Sequence, residues 1–241
     1  MEVIWPPLQA FIKIRGRAFA PTQNQVQASV IGKVKSSGKG KGKSRLALTY
    51  VEQAPVEIAA AALEQISAYG IYREDELIRV VERAWEIADK QTLFRGVIAD
   101  WLTKTDPGGG AWNVRKALEK LPIEQLGVEF LVEWVGVDPA QRAAALADVI
   151  GAPVGQATEL HGALLEHFGA HGVGSSFYGS HVSGSWVGSF ADWTRGKLET
   201  ARQWLDDKNP AMREWARSVV KSLEKELELR ESREEEERFR F

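Results

Sequence analysis

Asp138-Pro139-Ala140-Gln141-Arg142-Ala143-Ala144-Ala145 returns seventy-one positions later as Asn209-Pro210-Ala211-Met212-Arg213-Glu214-Trp215-Ala216. Both octets read Asp/Asn-Pro-Ala-x-Arg-x-x-Ala. The first residue is a helix cap whose side-chain oxygen accepts from the first free amides. Proline follows where its missing N–H costs nothing, and the closing alanine is small enough to let a neighbouring helix approach. The interval is about two periods of a helical-hairpin repeat. Outward from these octets, apolar residues recur every three or four positions from Pro55 to the C-terminus, interrupted by glycine and proline. The pattern predicts helices over 56–69, 73–89, 91–104, 112–120, 123–135, 139–150, 156–168, 190–206 and 210–238. Between Gly169 and Gly188 six glycines and five serines argue for a long loop, taken as 169–189.

The first part of the chain reads differently. From Ala10 to Glu52 the period is two: Ile12 and Ile14 alternate with Lys13, Arg15 and Arg17. Val26, Ala28, Val30 and Val34 alternate with polar residues that include Lys33 and Lys35, and Leu46, Leu48 and Tyr50 with Arg45, Ala47 and Thr49. Three antiparallel strands are expected, with Ser36 to Ser44 as a lysine-glycine hairpin tip. The expected fold class is mainly α with a small β element. Its N-terminal three-stranded sheet, 1–54, precedes an irregular helical array, 55–241, made of helix pairs and ending in a charged helix.

Charge follows the same division. Of 31 basic and 33 acidic residues, nine basic and only Glu2 among the acids fall in the first 45 positions, giving an arm of +8 and a body of −10. Lys13, Arg15, Arg17, Lys33, Lys35, Lys39, Lys41, Lys43 and Arg45 are the expected nucleic-acid backbone contacts, because lysines spaced by glycine can follow phosphates without reading bases. An acidic protein surface, or solubility alone, is the alternative reading of the same charges. Zero cysteines exclude thiolate metal sites, cysteine nucleophiles and disulfides. No secretory signal and no run of about eighteen apolar residues is present, so the expectation is a cytoplasmic protein without a membrane span.

The two octets resemble the second helix of HEAT-like repeats, with the arginine in that family's usual place between cap and alanine. The stretch from Trp186 to Glu237 resembles the helical ends of large bacterial proteins, some of them implicated in defence against phage. The resemblance implies scaffolding or sensing within a complex rather than catalysis.

Motifs for chemistry fail on register. Gly38 to Ser44 ends in Gly-Lys-Ser, but Ser37 stands where a phosphate loop needs its first glycine, and a strand-like run follows it instead of a helix. Gly179 to Ser185 is not a Gly-x-Ser-x-Gly elbow. The four histidines, His161, His167, His171 and His181, lie within twenty-one residues, yet His-Glu-x-x-His is absent and Gly169 interrupts the pair at 167 and 171. Structural or surface roles are expected for them, with no metal and no cofactor. Trp85, Trp101, Trp112, Trp134, Trp193, Trp204 and Trp215 are expected as core anchors. Trp186, with Phe177 and Tyr178, is expected to be exposed in the glycine-rich loop as a partner anchor. Arg213, Arg217 and Lys221 share a helix face that extends the basic track or is simply solvated. The composite expectation is a non-enzymatic adaptor or effector-complex subunit that touches nucleic acid through its arm and protein through its helices. The alternative is a purely protein-binding scaffold of an antiviral assembly.

Overall fold

The computed structural model describes residues 51–52, 54–69, 75–104 and 110–238, and divides into two compact units, Met1–Leu121 and Pro122–Phe241. No strand occurs among the described residues, which corrects the expected fold class to an all-helical array. The strand pattern over 10–50 and the nine basic residues of the arm lie outside the described residues. Where that pattern does reach them, Val51 has helical backbone and Glu52 sits in a turn. Val51 is fully buried, and packing among helices overrides the intrinsic β preference of a β-branched residue.

In the first unit, α1 (Pro55–Tyr69) opens on proline and buries Ala59, Ala61, Ala62, Leu63 and Ile66. Such breadth of burial marks a central helix, and α1 packs on α2 (Asp75–Ile87) and on α5 (Gly110–Leu118). On α2, Ile78, Val81 and Trp85 face inward while Arg83 bridges Glu52 and Glu86 at the surface. Asp89 then caps α3 (Lys90–Leu93), accepting from the amide and the hydroxyl of Thr92 at 2.8 and 2.7 Å. A π-helical turn, Phe94–Ile98, continues α3 into α4 (Ala99–Thr103). The buried residues Leu93, Phe94, Val97, Ile98, Trp101 and Leu102 repeat every four positions. In a 3.6-residue helix that repeat drifts by about 40° per turn. The wider turn, closed by the Ala99 amide on the Phe94 carbonyl, takes up the drift and keeps the stripe on the core.

The second unit begins with a 3-10 turn, Ile123–Leu126, and a glycine at φ 90°, Gly127, so the helix expected over 123–135 starts late, as α6 (Val128–Val137). Then follow α7 (Pro139–Ile150), α8 (Glu159–Phe168), a 3-10 turn Gly169–His171 and α9 (Val173–His181). Next come α10 (Phe190–Gln203), a 3-10 turn Trp204–Asp206 and α11 (Pro210–Arg238). The packed pairs are α6 with α7 and α8, α7 with α9, α8 with α11, and α10 with α11.

The two octets are built alike. Asp138 accepts from the Gln141 amide at 3.3 Å, and Asn209 from the Ala211 and Met212 amides at 2.8 and 3.2 Å. Each arginine turns back to carbonyls just before its own helix. Arg142 donates to the Trp134 carbonyl at 2.8 Å, and Arg213 to those of Asp207 and Lys208 at 2.8 and 2.9 Å. The closing alanines, Ala145 and Ala216, are both buried. The repeated motif therefore encodes a helix start whose arginine satisfies orphan carbonyls of the preceding turn. Arg213 is used in this role, Arg217 pairs with Glu214 at 2.8 Å on the surface, and Lys221 is exposed.

Helix α9 corrects the expectation of a loop over 169–189. Val173, Phe177 and His181, four residues apart, are buried on one face. Gly174 allows a close approach, because a Cβ there would stand 3.0 Å from Cδ1 of Trp215, whose indole N–H donates to the Gly174 carbonyl at 2.9 Å. Each helical glycine costs about 1 kcal/mol, and burying Phe177 returns about 2 to 3 kcal/mol.

Candidate partner-docking site

The candidate site grows from the capping of α10. Ser189 accepts from the Asp192 amide at 3.2 Å and donates to the Glu234 carboxylate at 2.8 Å, and that carboxylate also accepts from the Ala191 amide at 3.2 Å. A negative group from the far end of α11 thus sits on the positive end of α10. Arg195 bonds Asp192 and Glu231, and Arg202 pairs with Glu224 at 3.0 Å. These contacts run in opposite directions along the two helices, so α10 and α11 are antiparallel.

Ahead of Ser189, residues 183 to 188 are all exposed, with Gly184 at φ 133° and Gly188 at φ 94°. This short segment is what remains of the expected loop. Its Trp186 is 49% exposed and Val187 is wholly exposed. Trp186 meets Phe190 edge-on at 4.4 Å and Trp193 at 5.7 Å, and Phe190 meets Trp193 at 5.0 Å. The Arg230 guanidinium lies 4.3 Å from the Phe190 ring centre and Lys197 lies 5.4 Å from that of Trp193. The result is a surface aromatic cluster held on a helix pair, the type of group that anchors protein interfaces.

Of the three partner anchors expected from sequence, the structure keeps Trp186 at the surface and removes Phe177. Phe177 is fully buried against His161 and Trp215, at ring separations of 5.2 and 5.8 Å. Tyr178 is half-buried, and burial, aided by Glu226, raises its phenol above the ordinary value. Phe190 and Trp193 complete the cluster and were not anticipated there, although their spacing of three marks one helix face. Among the expected tryptophan anchors, Trp85, Trp101, Trp204 and Trp215 are buried, whereas Trp112 is 50% exposed. Trp134 is half-buried beneath Arg142, whose guanidinium lies 4.9 Å from the ring centre.

His161 and His181 serve the core. His161 completes the cap of α8: its Nδ1 accepts from the Thr158 amide at 3.2 Å, leaving Nε2–H to donate to the Gly151 carbonyl at 3.2 Å. His181 Nε2 donates to the Lys197 carbonyl at 2.9 Å. Burial lowers both below the ordinary histidine value, against the backbone hydrogen bonds that raise them. His167 and His171 are exposed, and the described residues hold no group of three or more His, Asp or Glu arranged for a metal ion. One cleft of about 290 Å³ lies between α6 and α8, lined by Val128, Glu129, Glu159, Glu166, His167 and Asn209 among others. No helix among the described residues is long and apolar enough to cross a membrane.

Among the described residues the geometry defines a class: all-helical, solenoid-like packing of helix pairs. Comparison with protein-family models, with curated proteins and with solved structures finds no match to this chain.

Proposed function

We propose that this chain is a non-enzymatic adaptor that contacts nucleic-acid backbone through its basic N-terminal arm and protein through its helical body. The carrying observation is the separation of charge, +8 in residues 1–45 and −10 in the remainder. A polyanion is drawn to the first and repelled by the second, and screening over about 8 Å keeps the two fields distinct. Neutralising about five phosphates of duplex DNA gives a slope of log K against log salt near −4.5, with little sequence preference. The test is titration of random-sequence DNA and RNA at two salt concentrations, with a Lys39→Ala, Lys41→Ala, Lys43→Ala triple variant. Binding that ignores salt removes the arm from this role, and binding that the triple variant leaves intact removes the lysine-glycine tip from it.

The helical body supports the protein half of the reading through the aromatic cluster at Trp186. That cluster also favours the second reading, a purely protein-binding scaffold or sensor with the arm on an acidic protein surface. Within either reading, the arginine-bearing helix starts support a HEAT-like assignment, and the likeness of 186–237 to the helical ends of large bacterial proteins, some of them implicated in phage defence, supports membership of an antiviral complex. Absence of any DNA or RNA binding at 50 mM salt, where phosphate contacts are strong, decides for the scaffold.

A further inference from the structure

The aromatic cluster also has a definite electrostatic setting. Phe190 and Trp193 each carry a cation of the chain itself, Arg230 and Lys197, over their rings. Trp186 carries none among the described residues, and it is the most exposed ring of the three. Carboxylates outnumber cations around the cluster: Asp192, Glu226, Glu231 and Glu234 against Arg195, Lys197 and Arg230. Along α11 the excess grows, since residues 223–236 hold seven glutamates and only Lys225, Arg230 and Arg233, while Leu229 is exposed between them.

A nucleic acid stacking on Trp186 would bring phosphates within a Debye length of this acidic helix and be repelled. An apolar segment flanked by lysine or arginine fits instead. Its aliphatic side chains cover Trp186 and Val187, its cation takes the open indole face, and its remaining charges meet the glutamates. We propose that Trp186, Val187, Phe190 and Trp193 form the docking surface for a basic amphipathic helix of a partner protein. This inference rests on the reading that the helical body contacts protein, and it names the surface and the chemistry of what binds there.

The test is calorimetric titration of the full chain with a synthetic amphipathic helix of leucine and lysine. Its leucine-glutamate counterpart and random-sequence duplex DNA are titrated in parallel. The leucine-lysine helix should bind, more weakly as salt rises, and the leucine-glutamate helix should not. Trp186→Ala should weaken binding by at least about thirtyfold, as for the loss of a central aromatic anchor. Val187→Lys, at a side chain exposed enough to leave the fold unchanged, should weaken it about tenfold by placing like charge against the partner. Equal binding of the two helices, no binding of the leucine-lysine helix, or a Kd that neither variant changes overturns the proposal. The DNA titration separates the two ideas. Salt-sensitive DNA binding that Trp186→Ala leaves unmoved preserves the arm reading even where the docking surface fails.

Discussion

Replacing Arg142 by alanine removes the clearest device that the repeated octet encodes. The guanidinium donates to the Trp134 carbonyl at 2.8 Å, in the last turn of α6, and lies over the Trp134 ring. A charged hydrogen bond to a backbone carbonyl contributes about 1.5 to 3 kcal/mol, and cation–π contact at a partly exposed site about 0.5 to 1 kcal/mol. Against these, alanine is the better helix former by a few tenths of a kcal/mol, and water reaches the half-buried carbonyl once the side chain is gone. The net expectation is a loss of about 2 kcal/mol. For a cooperative unit of 120 residues that corresponds to a fall in Tm of roughly 8 °C. Urea denaturation followed by tryptophan fluorescence, with the slope m unchanged, measures it directly. Arg142→Lys keeps the charge without the planar fork and should recover less than half of the loss. An Arg142→Ala variant within about 0.5 kcal/mol of the parent, the range of ordinary surface changes, would refute the reading of the motif as a carbonyl-capping helix start.

Three further outcomes follow from the second unit. Glu234→Ala strips the negative cap from α10 and should cost about 1 to 2 kcal/mol, read as a lower urea midpoint together with faster amide exchange at Ala191. Gly162→Ala should destabilise by about 1 to 3 kcal/mol despite alanine's helix propensity, because its Cβ would stand 2.7 to 3.0 Å from side-chain atoms of Asn209, the cap of α11; a neutral result would mean that this helix crossing yields easily. Stability should also fall with acid. His161 and His181 are held below the ordinary value of about 6.5 by burial, so above that pH neither folded nor unfolded chain binds the proton and their contribution is complete. As pH drops below 6.5 the unfolded chain takes up protons that the folded one refuses, and stability declines until the folded histidines themselves titrate. Urea midpoints measured from pH 8 to pH 5 should decrease through this window, and less steeply in His161→Gln; a flat or rising profile would contradict it.

Much of the helical order was legible because its signals are local. The caps Asp138 and Asn209 with the prolines after them place the starts of α7 and α11, and the ends at 150 and 238 also agree with the apolar period. Val51 and α9 were not legible for the same reason: what decides them is distant in the chain. Glycines at 172, 174 and 179 argue for a loop, and the four-residue spacing of Val173, Phe177 and His181 is a weak local signal against them. The stronger contradiction comes from Trp215, forty-one positions away, whose ring needs the space that Gly174 leaves. The choice between Phe177 and Trp186 has the same origin. Both sit in one glycine-rich stretch, but only Phe177 has His161 and Trp215 to pack against.

The docking surface departs from the expectation from hydrophobicity. On α10 the most apolar side chains, Phe190 and Trp193, are only half-buried, while Ala191, Thr194, Leu198 and Ala201 form the buried stripe. Along the shared length of the pair Glu234, Glu231 and Glu224 reach from α11 to Ser189, Arg195 and Arg202. The large rings stand outside that buried stripe, at its rim. There they meet Trp186, and Arg230 and Lys197 cover two of the rings. The aromatic surface thus lies directly beside the packed pair α10 and α11. Lengthening the buried stripe, as in Ala191→Leu, should push the helices apart and disperse the cluster, lowering stability and affinity for a basic amphipathic helix together. Loss of stability with that affinity intact would show that the cluster does not depend on the crossing.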